Sequence, residues 1–394
     1  MIILSIETSC DETAIAIIKR VRGKNMRFEV LSHKVLSQID LHKQYGGVFP
    51  AIAKREHAKA ITQLIVECLL EADLLVERTN DYFLEMSDRN RLENMLTHEP
   101  EMLKTLTIMF EGIQKPNIDA IAVTRGPGLE PALWVGVNAA QACSMVWNIP
   151  LYPINHMEGH IVASLLTKKE NFYEVTEPKT PAVALLISGG HTELVRISKL
   201  RKYKIIGETK DDAVGESFDK VARMLNLPYP GGPEISRLSE HARQERIIVP
   251  EDLRLPRPMI SSGDLNFSFS GLKTAVLTRV KRYEGQLYET IKKSIAMEFE
   301  NSVTDVLIAK SKQAIYETSA KTLIVGGGVS ANSQIRFALK ELAKDEDVEL
   351  FMPDVKLSGD NGIMIAATGL LHITTEEKPK VKLKAEGGWS IEEA

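Results

Sequence analysis

The sequence has little cysteine, no long apolar run and no surplus of charge. Its 394 residues hold three cysteines, Cys10, Cys68 and Cys143, with no CxxC spacing. That excludes a disulfide framework and favours a reducing compartment, each thiol being a small buried hydrophobe. No apolar stretch approaches the ~20 residues that cross a bilayer; even AITQLIVECLLEADLLV is broken by Gln63, Glu67, Glu71 and Asp73. A soluble protein with no membrane partner is expected. The opening MIILSIET is an apolar strand with neither a charged leader nor a cleavage site, so any targeting peptide is expected to be absent or already removed. A net charge of -4 excludes a histone-like grip on nucleic acid but leaves three local basic clusters. They are Lys19, Arg20, Arg22, Lys24 and Arg27; Arg201, Lys202 and Lys204; and Lys273, Arg279, Lys281 and Arg282. Such runs are ordinarily solvated faces, with RNA contact as the alternative.

What is present is an ordinary globular composition, 44% hydrophobic and 26% charged, long enough for two or three domains. IILSIETSCDETAIAIIK reads as strand, polar turn, strand. PAVALLISGGHTELVRIS repeats the plan some 180 residues later, which predicts a duplicated architecture. Strands alternating with helices and joined by Gly-rich turns mean α/β lobes. The stretch from about Thr79 to Lys115 departs from this economy. Charged and helical in character without glycine punctuation, it reads as a solvated insertion, with a partner interface as the alternative.

Three turns carry candidate binding chemistry. In LLISGGHTELV the glycines let successive N–H groups face an oxyanion, although Gly-Gly between apolar runs is equally a hairpin turn. TLIVGGGVSAN runs a buried strand into three glycines and a helix, with Ser330 as N-cap and Asn332 near the positive end. Neither GxGxxG nor a Walker loop is present. YPGGPEIS adds a third Gly pair, and Asp219 on the preceding helix is an acceptor for ribose hydroxyls, or else a surface salt-bridge partner of Lys220 or Arg223.

NHMEGH places His156 and His160 on one helical face, capped by Asn155, as two ligands of one metal require. Gly159 costs ~1 kcal/mol in a helix interior, so something should approach closely there. A zinc peptidase needs Glu directly after the first His; Met157 stands there, and Glu158 points ~100° further round. Two histidines are an incomplete site. The best third ligand is Asp360 in KLSGDNG, whose other reading is a helix N-cap.

IETSCDET, TRGPGL, NHMEGH, ISGGHTEL, GESFDKVAR, YPGGP, FSFSGLKTA, GGGVSAN and SGDNG, in this order, resemble the TsaD family of tRNA threonylcarbamoyladenosine synthases, from Ile2 to about Gly369. The resemblance implies an actin-like α/β fold, that of sugar kinases and heat-shock ATPases: two lobes about a central cleft, 1–180 and 181–394, with terminal helices packing back on the first. It implies transfer of threonylcarbamoyl from threonylcarbamoyl-AMP, made by a separate synthase, to the adenosine beside the anticodon of tRNA. It assigns His156, His160 and Asp360 to one divalent metal, iron or zinc. It sets the adenylate against Ser188, Gly189, Gly190, His191, Asp219, Gly232 and Asn332, and it gives Asp11 and Glu12 to the catalytic turn. The helical segment at 79–115 and the basic-then-acidic tail from Lys378 depart from the compact bacterial pattern. With the resemblance they suggest a homodimer of the mitochondrial matrix, the alternative being a bacterial-type cytoplasm. Competing readings are an actin-like ATPase or sugar kinase, a nucleotide-binding scaffold, and a metallopeptidase.

Overall fold

The computed structural model describes residues 1–23, 25–80, 82–283, 288–375 and 382–394. Lys24 of the first basic cluster, Asp81 of the helical segment and 378–381 of the tail lie outside them. The chain divides into two compact units. One comprises Met1–Gln38, Val48–Thr176 and Asp360–Ala394; the other comprises Ile39–Gly47 and Glu177–Gly359. The change of unit expected near residue 180 falls after Thr176, and the segment that begins at Asp360 belongs with the first unit.

The first unit is built on β1 (Ile2–Glu7), β2 (Glu12–Val21), β3 (Arg27–Ser37), β4 (Ala120–Gly126), β5 (Leu151–Asn155), β6 (Leu166–Lys168) and β7 (Tyr173–Val175), in the order β5-β4-β1-β2-β3-β7-β6. Strand β1 is apolar almost throughout because both faces are covered. Leu4 and Ile6 join the core with helices Pro50–Glu71 and Glu130–Trp147, while Ser5 Oγ, on the opposite face, donates to the Gly362 carbonyl at 2.7 Å at the start of helix Gly362–Thr374.

Helices Met86–Met95 and Pro100–Gly112 correct the reading of 79–115 as a solvated insertion. Leu92, Leu96, Met102, Leu106 and Phe110 are buried in the same core as β1 and helix Pro50–Glu71. The tail is also packed: Leu383, Trp389 and Ile391 are buried, and the Trp389 carbonyl accepts from Asn155 Nδ2 at 3.2 Å.

On β3, His33 Nε2 is buried with no hydrogen-bond partner among the described residues. Burial pushes its pKa down to about 4, against the pull of Glu71. The unfolded chain takes up this proton below about 6.5, so the unfolded state binds more protons and stability falls as pH drops from there toward 4. His33→Gln is expected to recover roughly 2 kcal/mol of that acid loss at pH 4. Urea midpoints at pH 7 and pH 4 measure it, and an unchanged pH dependence would contradict it.

The second unit holds β8 (Ala182–Ile187), β9 (Thr192–Lys199), β10 (Lys202–Glu208), β11 (Thr322–Gly326) and β12 (Glu349–Phe351), in the order β10-β9-β8-β11-β12. Numbered within each unit, five strands of each sheet run third, second, first, fourth, fifth, with the first two ladders antiparallel and the last two parallel, and the first sheet adds β7 and β6 beyond its third strand. The repeat legible in the sequence is therefore a repeat of sheet topology. Val183, Leu185, Phe218, Phe299 and Leu323 centre its core.

Candidate metal centre and nucleotide turns

The two histidines sit at the carboxyl end of β5, on helix His156–Ser164. Asn155 caps that helix by accepting from Met157 N at 2.9 Å and Glu158 N at 3.2 Å. A methyl on Gly159 would lie 3.1 Å from Ile365 Cδ1, so the glycine lets this helix press against helix Gly362–Thr374. That contact brings Asp360, the candidate third ligand, beside the histidines. Asp360 precedes the second helix but does not cap it; Asn361 does, accepting from Met364 N at 2.9 Å. All three residues lie in the first unit, so Asp360 does not come from a second lobe.

Asp360 Oδ1 is 3.4 Å from His156 Nε2 and 3.3 Å from His160 Nε2. One ligand atom from each residue falls within 4.8 Å of the others. Bonds of about 2.05 Å to a tetrahedral ion imply ligand separations of about 3.3 Å, so the spacing suits zinc or a similar ion. The chemistry also fits: both ring nitrogens of His160 are buried without a hydrogen-bond partner among the described residues. A buried imidazole left so is costly unless something coordinates it.

Negative charge is concentrated around this trio. Burial and the neighbouring Asp11 and Asp360 carboxylates push Glu12 up to about 10. Burial works against charge on His156, but Asp360 and Glu7 outweigh it and raise its pKa to about 9. Burial lowers that of His160. Several acids crowded with neutral and charged imidazoles form an environment that a divalent cation relieves.

Glu7 was not singled out from the sequence. Fully buried, it accepts from Ser9 N at 2.5 Å and from Thr124 Oγ1, and its Oε2 lies 3.2 Å from His156 Nδ1. A carboxylate on Nδ1 fixes the tautomer that leaves Nε2 as the lone-pair donor. Glu7→Gln is expected to weaken metal binding about 10–100-fold; competition with a chromogenic chelator measures this, and wild-type affinity would reject the role.

The acidic turn is held from behind. His57 Nε2 lies 3.0 Å from the Cys10 carbonyl, Gln38 N donates to the Asp11 carbonyl at 2.9 Å, and Ser37 Oγ donates to Glu12 at 3.2 Å. Glu158 is spent elsewhere, buried 2.7 Å from His372 Nε2, which removes it as the base of a peptidase.

In the second unit, the predicted binding turns gather at the carboxyl ends of parallel β8 and β11, the usual ligand edge of an α/β sheet. Ser188–His191 is a true hairpin turn: Ser188 N donates to the His191 carbonyl at 2.9 Å, and His191 N donates to Ser188 Oγ at 3.1 Å. A methyl on Gly215 would lie 2.6 Å from the Ser188 carbonyl, so helix Val214–Met224 abuts this turn. One helical turn on, Asp219 accepts from Gly231 N at 2.7 Å. Lys220 pairs with Asp212 and Glu216, both at 2.7 Å, and Arg223 donates to the Gly46 carbonyl. At Gly189, Gly190 and Gly232 a methyl would meet no atom within 4 Å, so intrachain packing does not demand glycine there. Gly327, at φ +91°, does need it, because a Cβ would run into the Ile187 carbonyl. The cap of helix Ser333–Asp345 is Asn332, not Ser330: its Oδ1 accepts from Ile335 N at 3.0 Å, while its Nδ2 donates to Glu300 at 2.7 Å.

The profile of TsaD, tRNA N6-adenosine threonylcarbamoyltransferase, matches residues 29–80 and 89–367, so residues 89–115 lie within the matched span. Proteins named tRNA N6-adenosine threonylcarbamoyltransferase from Burkholderia vietnamiensis and Burkholderia mallei are 40% and 41% identical over 378 residues, 95% of this chain and 92% of theirs. Among solved structures, HypF of T. kodakarensis aligns with a TM-score of 0.51 at 13% identity, over 95% of this chain and 48% of that one. The fold is that of the actin-like ATPases and sugar kinases, and the chain belongs to the TsaD family.

Proposed function

We propose that this protein transfers the threonylcarbamoyl group of threonylcarbamoyl-AMP to the exocyclic amine of the adenosine adjacent to the anticodon, in tRNAs reading codons that begin with A. The observation that carries the reading is the His156, His160 and Asp360 trio, whose ligand atoms lie within 4.8 Å of one another, in a chain of this family. The donor is a mixed carbamic-phosphoric anhydride, already activated, so no covalent nucleophile is needed. The thiols agree: burial raises the pKa of Cys10, of Cys68 (to about 11) and of Cys143. The amine nitrogen bonds to the carbamoyl carbon, the bond from that carbon to the phosphate oxygen breaks, and AMP leaves with the electron pair. Asp11 accepts the amine proton. Glu12, held protonated, serves as a neutral hydrogen-bond donor beside it. His156, His160 and Asp360 would hold one iron or zinc ion, which supplies Lewis-acid polarisation of a carbonyl.

In the second unit, Ser188, Gly189, Gly190, His191, Asp219 and Gly232 would bind the adenylate, the open space beyond the three glycines admitting its backbone-facing groups. Asn332 keeps one amide hydrogen for it. A separate synthase supplies the adenylate. A homodimer in the mitochondrial matrix belongs to the same reading, with a bacterial-type cytoplasm as the alternative that the bacterial relatives favour. The test is mass spectrometry of nucleosides from unmodified tRNA incubated with purified protein and an adenylate-generating synthase. Threonylcarbamoyladenosine is expected; ATP turnover indifferent to tRNA, without the modified nucleoside, would overturn the reading in favour of an ATPase.

A further inference from the structure

The three basic clusters of the sequence meet different fates in the structure. In the first, Lys19 stands opposite Glu29 across the β2–β3 ladder, and Arg27 is 3.3 Å from Glu174. In the third, Lys273 lies 3.5 Å from Asp212, and Arg279 donates to the Arg254 carbonyl at 3.1 Å. Much of that charge is already answered within the chain. The lysines of the middle cluster, with their neighbours on the same hairpin, are different. On the β9–β10 hairpin Arg196 stands directly opposite Lys204, and Lys199 opposite Lys202. All four are exposed, and none has an ion pair among the described residues.

Like charges directly opposite one another destabilise an antiparallel pair, so two such rungs in one hairpin call for an explanation. Lysines on an edge strand discourage pairing with other chains, and β10 is the edge of its sheet. That accounts for Lys202 and Lys204. It does not account for Arg196, whose strand β9 is paired on both sides, with β8 and with β10. A ligand that needs both members of the rung does account for it, and the ligand must be anionic and extended. The two rungs are three residues apart on β9, about 10 Å, enough to meet more than one phosphate. The tip of the hairpin lies about 23 Å along β9 from the Ser188–His191 turn, which fits contact with a backbone rather than with the reacting base.

We infer that the β9–β10 hairpin, through Arg196, Lys199, Lys202 and Lys204, binds the phosphate backbone of the tRNA substrate. The inference rests on the transferase reading above. Its test is filter binding of unmodified tRNA to the full-length protein across a series of salt concentrations. The variant Arg196→Gln/Lys199→Gln/Lys202→Gln/Lys204→Gln is compared with wild type and with Lys273→Gln/Arg279→Gln/Lys281→Gln/Arg282→Gln as a charge-matched control. Each phosphate contact contributes roughly 0.7–0.9 to the slope of log affinity against log salt. The hairpin variant is expected to lose about 3 in slope and at least tenfold in affinity near 0.1 M salt, and the control less than 1 in slope. AMP binding should be unchanged in both, and the thermal midpoint of the hairpin variant should equal or exceed that of wild type, because like-charge rungs have been removed. If the fourfold hairpin variant does not fold, Arg196→Gln/Lys204→Gln and Lys199→Gln/Lys202→Gln are read instead, each expected to show about half the slope change. Wild-type affinity and slope in the hairpin variants would overturn the inference alone. Failure of the wild-type protein to bind tRNA would overturn the transferase reading and this inference with it.

Discussion

His160→Ala is expected to purify with close to no bound metal where wild type holds one ion, and to transfer roughly a thousandfold more slowly. The estimate follows from the several kcal/mol that Lewis-acid polarisation supplies, at 1.36 kcal/mol per decade of rate. The structural reason is specific. His160 is buried, and neither of its ring nitrogens has a hydrogen-bond partner among the described residues, with Nε2 3.3 Å from Asp360 Oδ1. Such a residue costs stability in the metal-free protein and repays it only by ligation. Thermal melts should therefore separate the two proteins. Metal at a hundred times its dissociation constant stabilises a one-site protein by about 2.7 kcal/mol, so the wild-type midpoint should climb by several degrees while that of His160→Ala stays still. One tightly bound ion per chain in the variant, by elemental analysis, would show that His160 is not a ligand.

How much of this was legible in the sequence depends on the range of the interactions. The strand-turn-strand units showed because each is local: two apolar runs about a polar or glycine turn. The shared sheet order did not, since β1 pairs with β4 and β8 with β11 across more than a hundred residues. The His156 and His160 pair showed because i, i+4 spacing is a helical property. Asp360 could be nominated as a Gly-flanked acid, but only the structure shows Asn361 taking the capping role from it. Glu7 was hidden at the end of an apolar strand, because the groups that give it a task, Thr124 and His156, lie 117 and 149 residues away. The segment 79–115 misled for a different reason. Its mean composition is charged, yet Leu92 and Leu96, and again Met102 and Leu106, recur at helical spacing and form one buried stripe. Asn332 and Ser330 are both good caps by type, and the short turn Gly328–Ala331 decides between them by setting where the helix begins.

The same asparagine ties the second unit's proposed nucleotide edge to its stability. Glu300→Ala is expected to destabilise that unit by about 3–5 kcal/mol, the usual result of removing one partner from a buried pair. Glu300 is fully buried on helix Glu289–Thr318, where it accepts from Arg243 Nη1 at 2.6 Å and from Asn332 Nδ2 at 2.7 Å. Without it the Arg243 guanidinium keeps only Asn301, at 2.8 Å, among these polar partners. For a unit of this size the thermal midpoint should fall by roughly 6–20 °C. Glu300→Gln should lose less, because one amide oxygen can still accept from Arg243 while its own N–H groups oppose Asn332. The consequence for binding is separable from the loss of stability. Asn332 would still cap its helix through Oδ1, but its amide would no longer be anchored to the long helix. Below the unfolding temperature, AMP affinity should therefore fall in Glu300→Gln even though most of the stability remains. A loss of under 1 kcal/mol in Glu300→Ala would mean that Arg243 and Asn332 find other partners, and that this buried carboxylate is not what holds the turn in place.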